Sequence, residues 1–151
     1  MNIKSNFARP ISIARHIGRR MFGILKVFLL LSCAIASASA AEAGRVTELM
    51  TKALANVPGK EVTMITVDYP PGAMDPVHRH YGSAFVYVLE GSIVMQMKGG
   101  KKLILHPGQT FYEDPNGIHL IGRNASDTKP AKFLVVLVKE KGAPILVPVN
   151  K

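Results

Sequence analysis

Short apolar segments separated by turn residues recur along most of this chain, and they constrain its fold more than any other feature. Residues of type Gly, Pro or Asn lie between these segments, which are 61–69, 85–89, 92–97, 102–105, 110–113, 120–122, 133–139 and 145–149. Short β-branched and aromatic segments separated by turn residues are typical of an antiparallel sandwich or barrel. The sequence therefore predicts an all-β domain over residues 60–149.

A different periodicity precedes these segments. Between residues 44 and 56, apolar side chains recur at helical spacing, at Val46, Leu49, Met50, Ala53 and Leu54. The residues Val57-Pro58-Gly59 would end such a helix. We expect residues 41–58 to form an N-terminal extension with one short amphipathic helix that packs against the barrel.

Two histidines follow the first predicted strand, after a Pro-Pro-Gly turn. His78 and His80 are two positions apart, and on an extended strand the side chains at i and i+2 point to the same face. Two imidazoles on one face can converge on a single metal ion. The same spacing also fits a solvated strand face, so the pair alone leaves both interpretations open.

A third histidine lies in a second segment with its own turns. The relevant residues are Gly72, His78-x-His80 and Gly91, followed by Gly108, Pro115-x-Gly117, His119 and Asn124. This arrangement resembles the two sequence motifs of the cupin superfamily, over about residues 60–147. The resemblance implies a double-stranded β-helix, the jelly-roll barrel of the cupins.

The resemblance also implies a metal site. Cupin metal ligands are two His and one Glu from the first motif and one His from the second; by position the histidines are His78, His80 and His119, while the Glu position is Ala84, which cannot bind a metal. Three imidazoles suit iron, zinc, copper or nickel, and manganese is a further candidate for the divalent transition metal. Three histidines that line an empty barrel are the alternative.

Two other residues are candidates for a fourth ligand. Tyr81 follows His80 in the sequence, and Glu113 precedes the Pro-Asn-Gly turn. Tyr81 fits a barrel-rim residue equally well, and Glu113, next to Asp114, fits a solvated turn charge. A general acid or base would be sought at these two positions and at Tyr112, and no catalytic residue is assigned.

The first 40 residues resemble a secretory signal peptide. Basic residues extend to Arg20, an apolar core covers 21–35, and small residues end at Ala40, the expected cleavage position. Arg19-Arg20 also resembles a twin-arginine signal. We expect a periplasmic or secreted protein with no membrane attachment after cleavage, and the single cysteine, Cys33, leaves with the signal peptide.

Charge gives no indication of nucleic-acid binding. The formal net charge is +9, but residues 1–40 hold six of the 19 basic residues and none of the ten acidic ones. The lysines at 98, 101 and 102 flank a Gly-Gly turn without aromatic residues on which bases could stack. The resemblance instead implies a small organic molecule in the barrel mouth and a homodimer.

Two functions follow from these features. The first is a small-molecule metalloenzyme, with oxygenase-like or Lewis-acid chemistry, because a divalent ion held by neutral imidazoles can polarise a substrate oxygen, activate water or, if it is iron, bind dioxygen. The second is a non-catalytic periplasmic protein that binds a small molecule or a metal. One scaffold of this kind hosts many functions, so the motifs do not choose between them.

Overall fold

The structure is a computed structural model that describes residues 42–149, so the predicted signal peptide and Cys33 lie outside the described residues. Within that range the chain forms ten strands: β1 (Arg45–Ala53), β2 (Lys60–Tyr69), β3 (His78–Arg79), β4 (Gly82–Glu90), β5 (Ile93–Met97), β6 (Leu103–Leu105), β7 (Thr110–Glu113), β8 (Ile118–Asn124), β9 (Ala131–Glu140) and β10 (Val147–Pro148). No helix occurs in residues 42–149. The described residues therefore include no helix that is long and apolar enough to cross a membrane.

The strands form two five-stranded sheets. Sheet I has the order β1-β2-β9-β4-β7, and sheet II has the order β10-β3-β8-β5-β6. All the strand pairs are antiparallel. Because the chain passes repeatedly from one sheet to the other, the topology is that of a jelly roll. The predicted all-β, double-stranded β-helix fold is confirmed.

Strict alternation of buried and exposed residues places the core between the sheets. On β2 and β9 every second side chain is buried, and on β4 the inward residues are Ala84, Val86 and Val88. Tyr69 and Phe133 meet edge to face at the centre of the core, with their ring centroids 5.0 Å apart. Aromatic pairs of this kind contribute about 0.5–1.5 kcal/mol beyond their burial.

The predicted N-terminal helix is wrong, since residues 45–53 form β1 and pair with β2. The register shifts between Glu48 and Met50, which indicates a β-bulge at Leu49. Val46 pairs with the buried Val67, whereas Met50 pairs with Met64 on the outer face. Val46 and Met50, which are four residues apart and would share a face in a helix, therefore lie on opposite faces of β1 because of the bulge.

The Gly-Gly turn within residues 98–101 forms a hairpin, because β5 and β6 pair directly across it. Gly99 has φ 81° there, a conformation that glycine adopts without steric cost. A second glycine, Gly91, has φ 69°, and a Cβ at this position would lie 2.4 Å from the Pro130 carbonyl oxygen. Only glycine fits where the end of β4 passes this closely beneath the start of β9.

Candidate metal centre

Sheet II brings the three predicted histidines together inside the barrel. His78 and His119 are directly opposite in the β3–β8 pair, and His80 follows β3. The His78 ring centroid lies 4.9 Å from that of each of the other two imidazoles. Only 4%, 8% and 3% of His78, His80 and His119 are exposed. The convergence of the three side chains is thus observed, whereas their binding of a metal stays a prediction.

Sheet I contributes a carboxylate to the same cluster. Glu113 ends β7, is 4% exposed, and its Oε2 lies 3.2 Å from His80 Nε2 and 3.4 Å from His119 Nδ1. His78, His80 and Glu113 each offer one ligand atom, and these atoms all lie within 4.8 Å of one another. A His-His-Glu group of this geometry could hold a metal ion. We call His78, His80, Glu113 and His119 the interior cluster.

Backbone carbonyls orient two of the three imidazoles. The Nδ1 of His78 donates to the carbonyl of Pro76 at 2.8 Å, and the Nδ1 of His80 donates to the carbonyl of Ile145. In each ring the lone pair is then on Nε2, which faces another member of the cluster: His78 Nε2 lies 3.3 Å from His119 Nδ1, and His80 Nε2 lies 3.2 Å from Glu113 Oε2. Metal-binding histidines usually donate their other nitrogen in this way, which fixes the tautomer and the ring orientation.

The cluster also contains polar atoms without partners. Among the described residues, the buried side-chain atoms with no hydrogen-bond partner are Glu113 Oε2, His119 Nε2 and Arg79 Nε. The imidazoles lie close to Glu113 Oε2, but none makes a bond with hydrogen-bond geometry to it. A buried polar group without a partner costs about 1–3 kcal/mol. A cation among these residues would give Glu113 Oε2 the partner that it lacks, so the donor set fits a metal ion.

The pKa values favour a carboxylate among largely neutral imidazoles. Burial alone would raise the pKa of Glu113, but the adjacent His80 and His119 outweigh it and hold that pKa below its ordinary value. Burial lowers the pKa of His78 and of His119. Burial also acts to lower the pKa of His80, yet the Glu113 carboxylate reverses the shift and raises it. Metal ligands must be deprotonated, and most of this cluster already favours that state.

A glycine makes room for the His119 ring. A Cβ at Gly122 would lie 3.0 Å from His119 Cε1 and 3.2 Å from Tyr69 Oη. The same Tyr69 hydroxyl donates to Asp75 Oδ2 at 2.5 Å, and burial raises the pKa of Tyr69. Sequence reasoning missed this phenol and carboxylate behind the cluster, because neither residue belongs to a motif.

The tyrosines named as further candidates lie elsewhere. Tyr81 and Tyr112 are 41% and 44% exposed. The Arg79 guanidinium lies 5.6 Å from the Tyr81 ring centroid, and the Tyr112 hydroxyl lies 3.1 Å from that of Ser83 on the outer face of sheet I. Glu113, which also fitted a turn charge by sequence, is the one of the three candidates that reaches the histidines.

A surface pocket is present, but it does not open onto the cluster. Its volume is about 480 Å³, and its lining includes Lys60, Tyr81, Ser83, Asn116, Val138 and Glu140. These residues belong to the outer side of sheet I and to the adjacent loops, and no member of the interior cluster is among them. A small molecule in the barrel mouth therefore stays a prediction.

Comparison with known proteins agrees with this architecture. Residues 65–137 match the family model of the cupin domain, and that stretch contains the whole interior cluster. No match was found among curated proteins. Among solved structures, a cupin domain from Bordetella pertussis is 20% identical, covers 66% of this chain and 97% of its own, and has a TM-score of 0.52.

Two enzymes have similar folds. The dimethylsulfoniopropionate (DMSP) lyase DddQ from Ruegeria pomeroyi is 19% identical, with a TM-score of 0.58 over 71% of this chain. An oxalate oxidase in complex with the substrate analogue glycolate is 25% identical, with a TM-score of 0.56 over 74% of this chain. The matched regions span only 52% and 57% of those two chains. The matched cupin domain and the jelly-roll fold together support the assignment of this chain to the cupin superfamily.

Proposed function

We propose that this protein binds a divalent transition metal through His78, His80 and His119 and acts on a small organic molecule as an exported single-domain metalloenzyme. The observation that carries the proposal is the interior cluster, in which three imidazoles and a carboxylate converge and one buried carboxylate oxygen has no hydrogen-bond partner within residues 42–149. A bound ion would supply Lewis-acid chemistry or, if it is iron, oxygenase-like chemistry. Iron, zinc, copper, nickel and manganese are all compatible with this donor set.

The chain itself orients the ligands and keeps water out. The carbonyls of Pro76 and Ile145 hold two rings in place, and each cluster residue is at most 8% exposed. Residues 141–146 are tied to the barrel at this end, because the Gly142 N–H donates to Glu61 Oε1 at 3.0 Å and the Ile145 carbonyl accepts from His80.

The alternative is a non-catalytic periplasmic protein that binds a metal or a small molecule. The burial of the cluster favours it, since a resident ion needs no access for substrate. The positions of Tyr81 and Tyr112 favour it as well, because an enzyme needs an acid or base within hydrogen-bond reach of its substrate. The similarity to a DMSP lyase and an oxalate oxidase favours the enzyme.

Cobalt substitution of the full chain tests both functions. Cobalt(II) bound by the cluster should give visible absorption bands, which the His78→Ala/His80→Ala variant should lack. Small carboxylic acids, glycolate among them, should change the bands if the ion keeps an open position. Bands that no small molecule alters would favour the non-catalytic protein, and the absence of bands from the unmodified chain would contradict the metal site.

We also propose that residues 1–40 direct export of the protein.

We further propose that a second copy of the chain covers β1. All nine residues of β1 are exposed at the edge of sheet I, including Val46 at 52% and Leu49 at 54%. Long apolar edge strands are usually covered, because their free backbone groups pair with other chains. Sedimentation should give a dimer that Leu49→Lys converts to a monomer. A monomeric unmodified chain would contradict this proposal.

A further inference from the structure

We infer that Glu113 has taken over the ligand role that cupins give to the position of Ala84, so that the metal-binding carboxylate has moved from β4 to β7. This inference rests on the proposed metal binding and adds a fourth protein ligand to the three histidines. At the position where cupins have the metal-binding Glu, this chain has Ala84, whose side chain is a methyl group. The structure shows a carboxylate on the adjacent strand instead.

The strand register is the first support. Ala84 and Glu113 are direct partners in the antiparallel β4–β7 pair. Residues directly opposite on antiparallel strands point to the same face, with their Cβ atoms about 4.5–5.5 Å apart. Both side chains point inward, since Ala84 is 0% and Glu113 is 4% exposed. A carboxylate from either position therefore enters the same part of the interior.

The small size of Ala84 is the second support. On its other side Ala84 pairs with Leu137 of β9, which is also fully buried. A Glu side chain at position 84 would have to share the remaining space with Glu113. Two carboxylates so close would repel each other and resist ionisation. The methyl group of Ala84 thus leaves this part of the interior to the carboxylate on β7.

The contacts of Glu113 exclude the turn-charge interpretation. Its neighbour Asp114 is exposed, whereas Glu113 is buried and forms ion-pair contacts only with His80 and His119 within the described residues. Neither Lys nor Arg pairs with it there. Buried carboxylates are normally paired with a cation or bound to a metal. The two imidazoles approach Glu113 Oε2 without hydrogen-bond geometry, so a metal ion at this position would be its cationic partner.

This arrangement has two consequences for the ion. The three histidines belong to sheet II or its flanking segment and Glu113 belongs to the edge of sheet I, so the ion would be bound from both sheets. One carboxylate also reduces the net charge of a divalent ion with three neutral imidazoles from +2 to +1. The site would therefore be a weaker Lewis acid than three histidines alone would provide.

The test measures metal affinity, by competition with a chromophoric chelator, in matched variants of the full chain. Glu113→Gln replaces one carboxylate oxygen with an amide nitrogen and removes the negative charge. Asp114→Asn makes the same change on the adjacent exposed residue. We expect the first to weaken zinc binding at least about tenfold, since loss of even an outer partner of a ligand costs 10–100-fold. The second should leave the affinity unchanged.

Moving the carboxylate back gives the sharper test. Ala84→Glu/Glu113→Ala should bind zinc more tightly than Glu113→Ala alone, because the carboxylate re-enters the same space from β4. Glu113→His keeps a metal donor on β7 and should bind zinc more tightly than Glu113→Gln. This variant replaces the exchanged variant in the test if the latter does not unfold cooperatively and is therefore not properly folded. Equal affinity of the exchanged variant and Glu113→Ala, where both fold, would overturn the inference.

The outcomes separate this inference from the proposed function. If the unmodified chain binds about one zinc ion, His78→Ala/His80→Ala abolishes binding and Glu113→Gln does not weaken it, the metal site stands and the role of Glu113 is wrong. If the unmodified chain binds no zinc, nickel, manganese, copper or iron, the proposed function fails first.

Discussion

Two buried polar residues on β8, His119 and Asn124, differ in how their hydrogen-bonding groups are satisfied. The Asn124 amide nitrogen lies 3.2, 2.9 and 2.8 Å from the carbonyl oxygens of Tyr69, Pro70 and Lys129, and its Oδ1 accepts from the Ser126 N–H at 2.9 Å. By contrast, His119 Nε2 has no hydrogen-bond partner in the part of the chain that the structure describes, and its Nδ1 lies 3.3 Å from His78 Nε2. Asn124 is 1% exposed and His119 is 3% exposed, so burial does not account for the difference.

The difference distinguishes a structural polar residue from a candidate ligand. Every polar atom of the Asn124 side chain is used to join β8 to the turns at 69–70 and 126–129, which fixes these loops. In the interior cluster, by contrast, Glu113 Oε2 and His119 Nε2 are buried without a hydrogen-bond partner among the described residues. Both residues belong to the motif that resembles the cupins, and the resemblance implies a ligand role for His119 but none for Asn124.

The largest expected effect is stabilisation of the interior cluster by metal. An ion that binds only the folded chain adds about 4 kcal/mol to the free energy of unfolding at a concentration one thousand times the dissociation constant. Denaturant unfolding at several zinc concentrations should show this gain in the unmodified chain and in Asn124→Ala. It should be absent from His78→Ala/His80→Ala. An equal gain in the double variant would place the metal elsewhere.

The next effect is the loss of Asn124. We expect Asn124→Ala to lower the free energy of unfolding by about 2–3 kcal/mol, because buried carbonyls lose their donor. Zinc affinity of the folded variant should be unchanged. The matched control is Asn56→Ala, at an exposed turn position, where the effect should stay within about 0.5 kcal/mol. If the two variants were equally stable, Asn124 would not have the structural role given to it.

A smaller effect is expected behind the His119 ring. Gly122→Ala would press on His119 Cε1, which lies 3.0 Å from the added methyl position, and should weaken zinc binding about tenfold, as displaced support of a ligand does. Gly100→Ala is the control, since its nearest contact is 3.4 Å. Chelator competition measures both variants. Equal affinities would show that His119 tolerates the shift or is not a ligand.

The smallest effect concerns a third buried polar group, the ion pair between Glu61 and Lys139. The Lys139 ammonium, followed by the Gly142 N–H, holds the pKa of Glu61 below its ordinary value of 4.5. Because the folded pKa is the lower one, this contribution to stability is present above about pH 4.5 and is lost as the pH falls through the folded pKa.

Urea unfolding between pH 6 and pH 3 should therefore show a shallower loss of stability in Glu61→Met/Lys139→Met than in the unmodified chain. Lys60→Met/Glu140→Met, which removes a more exposed pair, should keep the original slope because such pairs contribute little. If stability fell equally with pH in all three proteins, the buried pair would not determine the loss of stability in acid.

Much of the fold was predictable because it depends on local patterns. The short apolar segments 61–69 and 133–139, bounded by turn residues, correctly indicated β2 and β9. The N-terminal prediction failed at Leu49, where a bulge changes the alternation and no residue type signals it. A bulge depends on the partner strand, so the sequence of β1 alone favoured a helix.

The site was predictable to the extent that its spacing is local. His78 and His80 share a face because they are two residues apart, and the resemblance supplied His119. The position of Glu113 depends on the register between β4 and β7, which sets Ala84 opposite it. That register is a long-range property, and beside Asp114 and a Pro-Asn-Gly turn the residue resembled a surface charge.

The central claim is that the interior cluster holds a metal ion, and elemental analysis of the purified full chain tests it most directly. Metal should be counted per chain before and after reconstitution with each candidate ion, alongside His78→Ala/His80→Ala and Asn124→Ala. We predict about one transition-metal ion per chain, retained in folded Asn124→Ala and lost in the double histidine variant. An unmodified chain that contains no metal and takes up none would contradict the account.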